Sequence, residues 1–299
     1  MRCGTPGYGS GSGLGGSFLR TIGGSTAVDR STFLTFDGHR IHLIERGVGE
    51  PVLLIHGFAD SAYTWHRNVD ALARAGFHVL AYDQPGHGES SLPRGYRFGV
   101  DGLARVALGV LDALGVEQAH VVGSSMGGGV ALYLAVHHPD RVHRVVAVAP
   151  VCYHPPFRPF IFLARCLPFL ALARRLAGPW LVGPVLRSQY ADLTLLTPDV
   201  LDHYRRCFER SEYVQACAGM VRDYWNRAFY ETARRYREIR VPLHLIWGER
   251  DTWVPPRHFA LRLAADTGAD LTVVGGAGHL VQQARPEHFN CALLRALGW

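Results

Sequence analysis

The chain reads as an α/β protein, with a mostly parallel central sheet, helices on both faces and a helical insertion. Three observations predict this. Short β-branched runs alternate with helical stretches from Pro51 to Pro150 and again from Val241 onward, the pattern that builds a parallel sheet through crossover helices. The strand segments are continuous apolar runs, such as Pro51-Val-Leu-Leu-Ile-His56, as strands buried on both faces require. Between Pro150 and Arg240 the alternation stops.

Taken in order, residues 1–30 are Gly/Ser-rich, most of all from Gly7 to Ser17, and read as a disordered tail. Order is expected from Ser31. Thr32 to Phe36 and Arg40 to Glu45 form two strands joined at Asp37-Gly38, a hairpin signal because both turn positions need positive φ. After the buried run ending at His56 come a loop, a helix from Tyr63 to Ala75 and a strand from His78 to Tyr82. Val100 to Leu114 places Leu103, Val106, Val110 and Leu114 on one helical face. The next strand breaks at Gly123, and a helix starts just after Gly129; Val142 to Val148 is a further strand. Six prolines from Pro155 to Pro184 break up the first half of the insertion. Its second half is helical, with Leu201, Tyr204 and Phe208 on one face and Val214, Cys217, Val221 and Trp225 on another. The alternation then resumes with strand Leu243–Trp247, helix His258–Ala265, strand Leu271–Val274 and helix Pro286–Leu297. With 299 residues, 48% of them hydrophobic, the chain can fill one large core or one core plus a subdomain.

Composition excludes several function classes. The net charge is +6 and the arginines are scattered, whereas nucleic-acid binding calls for a basic stripe interleaved with aromatics. The six cysteines (Cys3, Cys152, Cys166, Cys207, Cys217, Cys291) show neither C-x-x-C pairing nor metal-ligand spacing. They fit small buried apolar residues in a reducing compartment. No secretion signal is visible, and no apolar run reaches the about 18–20 residues of a membrane span. A cytoplasmic protein is expected.

The chemistry centres on Gly123-Ser124-Ser125-Met126-Gly127, which fits G-x-S-x-G at a strand-to-helix turn. A Gly/Ser run also arises as an ordinary loop, so the motif gains its meaning from context. Ser125 is central in the frame; Ser124, the rival, is expected to pack beneath the turn. The helix beginning there aims free N–H groups and its positive dipole end at an oxyanion beside Ser125. A serine nucleophile needs a base, and the base needs an orienting group. Among 16 histidines, His279 stands in a glycine-rich loop after a strand, Gly275-Gly-Ala-Gly-His279. His137, His138 and His143 are explained by helix ends or surface loops. The orienting acid is Asp251 in Trp247-Gly-Glu-Arg-Asp251, with Glu249 as runner-up and a plain helix cap as the structural alternative. All three follow strands whose carboxyl ends gather at one edge of a parallel sheet. Met126 N–H and Phe58 N–H are the expected oxyanion donors, and His56 is expected to hold its loop by hydrogen bonds.

Together with Asp83-Gln-Pro-Gly-His-Gly-Glu-Ser90, these motifs resemble the α/β-hydrolase superfamily over about residues 31–299. The resemblance implies an α/β-hydrolase core at 31–150 and 241–299 with a helical cap at 151–240. It implies a Ser125-His279-Asp251 triad, no metal or organic cofactor, and a carboxylic ester of a small hydrophobic acyl substrate. Haloalkane dehalogenases and epoxide hydrolases carry aspartate where Ser125 stands. Meta-cleavage C–C hydrolases are similar in the Ser-Met-Gly-Gly elbow, and they supply a second reading. They usually have tryptophan after the histidine and a Gly/Pro-rich stretch after His-Gly; here those places hold Leu280 and Phe58-Ala-Asp-Ser61. A hydrolase-fold receptor or scaffold without turnover is the third reading.

Substrate-binding residues stay open, because they lie in the cap. Val151 to Ala191 carries five arginines (Arg158, Arg165, Arg174, Arg175, Arg187), no acid, and interleaved Phe157, Phe160, Phe162, Phe169, Trp180 and Leu181. Aromatics packed on the sheet edge with solvated arginines is the plain structural account. A hydrophobic tunnel with arginines at its rim is the favoured functional one, and such a rim would also make weak contact with an anionic lipid surface. One arginine clamping a substrate carboxylate is the other.

Overall fold

The strands are β1 (Arg20–Ile22), β2 (Ser25–Phe36), β3 (His39–Gly47), β4 (Glu50–Ile55), β5 (Phe77–Tyr82), β6 (Ala119–Ser124), β7 (Val142–Val148), β8 (Leu243–Gly248) and β9 (Asp270–Val274). They pair in the order β1-β2-β3-β5-β4-β6-β7-β8-β9 in the computed structural model, which describes residues 20–22, 25–153, 180 and 182–299. From β5 to β9 every pairing is parallel; β1, β2 and β3 add antiparallel strands at one edge. Asp37 and Gly38 both have positive φ (47° and 74°), so the β2–β3 turn has the twist that suits a tight hairpin. Order begins earlier than the sequence suggests: β2 pairs with β3 back to Val28 opposite Gly47. The short polar residues of this segment hide a strand that long-range pairing imposes.

Period-two alternation along the strands builds two cores. In β4, Leu53 and Ile55 join one cluster with helices α2 (Val100–Ala113) and α3 (Met126–His137). Val52 and Leu54 face the opposite cluster, with Trp65, Leu72 and Phe289. That second layer is made by α1 (Val69–Arg74) and α10 (Pro286–Leu297). The sheet is thus covered on both faces, which explains its unbroken apolar runs.

Two boundaries differ from expectation. The helix foreseen from Tyr63 to Ala75 divides into a 3-10 turn, Ala62–Trp65, and α1. Asn68 separates them because its amide is bonded elsewhere, to Gln282 O at 3.2 Å and Asn290 Oδ1 at 2.7 Å. Helix α3 begins at Met126, not after Gly129. Its glycines are inside the helix because a Cβ at Gly127 would lie 2.3 Å from Ile55 O, and one at Gly129 2.0 Å from the Tyr224 hydroxyl.

Between β7 and β8 the described residues form α4 (Val182–Gln189), α5 (Pro198–Glu209), α6 (Ser211–Asp223) and α7 (Arg227–Arg234). Val182, Leu186, Tyr190, Val200 and Tyr204 pack against Leu280 and Ala284, just beyond His279. In α6 the buried stripe is Tyr213, Ala216 and Met220, one residue ahead of the Val214-Cys217-Val221 stripe read from the sequence. Helices α8 (Pro256–Thr267) and α9 (Val281–Ala284) flank the last strands. Among the described residues no helix is long and apolar enough to cross a membrane.

Candidate active site

Ser125 sits between the end of β6 and the start of α3 with φ 55° and ψ −116°. A non-glycine residue keeps such a backbone only where its surroundings over-determine it. Here the Ser125 N–H donates to Val148 O (2.8 Å), and its carbonyl accepts from Gly129 N (3.2 Å) and Val151 N (2.9 Å). The turn also needs close approach: a Cβ at Gly123 would meet Gly127 O at 2.1 Å. Ser124 points away from the site, is 1% exposed and accepts from Gln282 Nε2 at 3.2 Å.

The structure brings Ser125, His279 and Asp251 together. Ser125 Oγ–H donates to His279 Nε2 at 3.0 Å, and His279 Nδ1–H donates to Asp251 Oδ2 at 2.8 Å. This tautomer follows from the network, since a carboxylate only accepts. Asp251 Oδ1 is fixed by Trp253 N–H (2.8 Å) and Val254 N–H (2.9 Å), so the acid cannot swing. Glu249 is elsewhere, accepting from Gly276 N at 2.9 Å on an exposed loop. Ser125, His279 and Asp251 are 9%, 4% and 4% exposed, a dry setting in which fixed dipoles act strongly.

Met126 follows Ser125 at the start of α3, and Phe58 is on a neighbouring loop. The loop carrying Phe58 passes so near that a Cβ at Gly57 would lie 3.0 Å from Ser125 Cβ. Among the described residues neither the Phe58 nor the Met126 N–H has a backbone acceptor, and Met126 opens α3, where first-turn N–H groups have no helical partner. His56 secures the loop from below. Its Nε2 accepts the Gln84 N–H (2.9 Å), its Nδ1–H donates to Gly57 O (2.9 Å), and its carbonyl accepts from Gln84 Nε2 (2.6 Å).

The Asp83–Ser90 turn is structural. Asp83 accepts from Ala62 N (2.6 Å) and Glu89 N (2.9 Å) and pairs with His42 Nδ1 at 2.7 Å. Burial opposes the charge on both partners, yet their hydrogen bond and mutual attraction outweigh it; Asp83 is lowered and His42 raised.

Several neighbours of His279 had no signal in the sequence. Trp253 stacks on its ring (6.1 Å between centroids, 18°) and donates Nε1–H to Ser188 Oγ at 3.0 Å. The His279 N–H donates to Gln189 O at 2.8 Å, at the end of α4. Of the cap residues singled out by sequence, Arg158, Arg165, Arg174, Arg175, Phe157, Phe160, Phe162, Phe169 and Leu181 lie outside the described residues. Arg187 and Trp180 are described, and both are exposed. Among the described residues no three His, Cys, Asp or Glu side chains converge as metal ligands, and Cys152, Cys207 and Cys217 form no disulfide.

The family model described as alpha/beta hydrolase fold matches residues 50–174. The chain is 33% identical over 269 residues to the dihydrolipoyllysine-residue acetyltransferase component of an acetoin cleaving system from Cupriavidus necator, covering 89% of this chain and 68% of that protein. It is 32% identical to a 2-hydroxy-6-oxononadienedioate/2-hydroxy-6-oxononatrienedioate hydrolase from Burkholderia vietnamiensis, covering 86% and 91% of the two chains. Among solved structures, an alpha/beta hydrolase fold protein from Burkholderia ambifaria superposes with a TM-score of 0.78 at 27% identity, over 90% of this chain and 98% of that one. Sheet order, strand-to-helix turn and relatives agree, and the chain belongs to the α/β-hydrolase family.

Proposed function

We propose that the protein is a serine hydrolase that cleaves a carboxylic ester of a hydrophobic acyl substrate through an acyl-enzyme. The observation that carries this is the relay from Ser125 Oγ through the His279 ring to Asp251 Oδ2, at 3.0 Å and 2.8 Å. As Ser125 Oγ bonds the acyl carbon, its proton passes to His279 Nε2, and Asp251 stabilises the resulting imidazolium. The carbonyl oxygen becomes an oxyanion held by the Met126 and Phe58 N–H groups, each worth about 3–4 kcal/mol of barrier. Collapse expels the alkoxide, which takes the proton from His279. Water then gives a proton to His279 and attacks the acyl carbon, releasing the acid and restoring Ser125. Phe58, Leu186, Phe208 and Trp253 form the apolar wall of a crevice that Asp60 and Tyr204 also line, and that wall favours an apolar acyl chain.

A fluorophosphonate probe and a series of p-nitrophenyl esters test the reading. The protein should label once, at Ser125, and Ser125→Ala should abolish both labelling and turnover without unfolding. Medium-chain esters should exceed the acetyl ester in kcat/KM. Turnover unchanged in Ser125→Ala would overturn the mechanism, and a folded wild type that never labels would favour a scaffold.

The Burkholderia vietnamiensis relative supports a second reading, C–C bond hydrolysis of a 2-hydroxy-6-oxo-dienedioate. Under that reading such a compound loses its dienolate absorbance faster than any ester is cleaved.

A further inference from the structure

A buried polar network joins four elements around the reaction centre, and the relay described above does not use it. Asp60 lies two residues beyond Phe58, separated from it by Ala59, whose φ is 52°. Its carboxyl is 4% exposed and forms no ion pair among the described residues. Neutral donors hold it instead: Oδ1 accepts from Tyr204 O–H at 2.6 Å and Ser61 N–H at 2.8 Å. The Tyr204 oxygen in turn accepts from Gln283 Nε2 (2.9 Å), which also reaches Thr64 Oγ1 (2.8 Å). Gln282 Nε2 donates to Thr64 Oγ1 (2.9 Å) and to Ser124 Oγ (3.2 Å). With both amides donating to it, the Thr64 hydroxyl turns its own hydrogen to the Asp60 carboxyl. Tyr190 O–H closes the set on Gln283 Oε1 at 2.5 Å.

The direction of these bonds matters. Donors on α9 and on the insertion converge on Asp60, the only ionisable carboxyl in the set, while Ser124 Oγ only accepts, from Gln282. Tyr190 and Tyr204 are the insertion's contributions. Burial pushes the Asp60 pKa up, as expected for a carboxyl served by neutral partners. Loss of the Tyr204 hydroxyl leaves a buried carboxyl and a buried amide short of partners at once, and water cannot replace it without rearrangement. Asp60 shares its loop with Ala59 and the Phe58 N–H, so a shift of its carboxyl is passed to that N–H.

We propose that Asp60, Tyr204 and Gln283 are positioning residues that make a competent oxyanion hole conditional on the insertion being seated against α9. This rests on the reading of the Phe58 N–H as an oxyanion donor. Seating the insertion supplies the Tyr204 hydroxyl, Asp60 holds it, and the Phe58 N–H is thereby aimed beside Ser125. Substrate binding and transition-state stabilisation then separate: the network acts on the rate and not on affinity.

The test uses the full chain with Tyr204→Phe, Asp60→Asn and their double variant, measuring kcat, KM, the rate of fluorophosphonate labelling and melting temperature. Each single variant should lower kcat and labelling by about 10- to 100-fold with KM within about twofold. The double variant should be no more than about threefold below the worse single one, because both act through one network. Tyr190→Phe, two hydrogen bonds further from Asp60 than Tyr204, keeps all the donors of Asp60 and should cost less than about threefold. If Tyr204→Phe does not fold, Asp60→Asn with Tyr190→Phe still decides the question. Labelling and kcat unchanged while melting falls would reduce the network to a structural one and overturn the proposal. A raised KM at unchanged kcat would also overturn it, by making Asp60 a substrate contact. If the wild type does not label at Ser125, the nucleophile assignment fails and this proposal with it; if it labels and the variants match it, the proposal alone fails.

Discussion

The backbone carbonyl of Gln189 accepts the His279 N–H at 2.8 Å. The loop bearing His279 is therefore fixed by the insertion and not by the sheet alone. Gln189 is the last residue of α4, where carbonyls have no helical partner, so the bond satisfies a helix end and a loop together.

Gly278 makes that contact possible, and its replacement is informative. A Cβ there would lie 2.3 Å from Gln189 O and 2.8 Å from Ala191 N. Gly278→Ala must push α4 and the His279 loop apart, with Asp251 still holding the ring at Nδ1. Misplacement of this kind costs about 10- to 100-fold in rate. Steady-state kcat with far-UV circular dichroism checks it: activity should fall by that factor while secondary structure persists. Unchanged activity would show that the bond to Gln189 does not place the base.

Asp251 and Glu249 are two residues apart and have different partners. Asp251→Asn should lower kcat by about 10⁴-fold, because an amide facing Nδ1 favours the wrong tautomer. Glu249→Gln should stay within about threefold, since its carboxylate serves the Gly276 N–H on the surface. Comparing kcat/KM for both variants on one ester settles the assignment. The reverse order would move the acid role to Glu249.

The sequence made the sheet and the Ser125-His279-Asp251 arrangement legible for a physical reason. Each of the three follows a strand, and tight turns there require glycines at fixed offsets, as at Gly123 and Gly127. Asp60, Thr64, Tyr204, Gln282 and Gln283 share no such spacing. They meet because the insertion folds back onto α9, bringing residues 144 positions apart into one hydrogen bond. Trp253 and the Gln189 carbonyl were hidden for the same reason: one acts by stacking, the other through a backbone atom that any residue provides. The start of β2 was hidden because pairing with β1 at Ser25 to Ala27 and with β3 from Val28, not local hydrophobicity, makes it extended.

Buried histidines contribute to the pH dependence of stability, and His87 gives the clearest case. Its ring is fully buried, 5.3 Å from both His56 and Tyr213 between centroids, and Nδ1–H donates to Pro85 O at 3.1 Å. Burial, then the neighbouring His56, pushes its pKa down to about 3. In the unfolded chain the value is about 6.5. Between those values the unfolded state binds a proton that the folded state refuses, so stability rises with pH and falls on acidification. His203, stacked on Tyr63 at 3.8 Å and lowered to about 4, acts in the same sense. His42 acts in the opposite sense: its raised pKa gives stability that is present below the unfolded value and lost as pH rises through the folded one. Only a difference between two proteins isolates His87. Urea unfolding of the wild type and of His87→Gln should be compared at about pH 7 and about pH 5. Over that range the wild type should lose about 2 kcal/mol more than the variant, whose amide can still donate to Pro85 O but takes up no proton. Equal losses would mean that His87 is protonated in the folded protein, and that the pocket formed by His56, Tyr213 and Phe98 admits a charge.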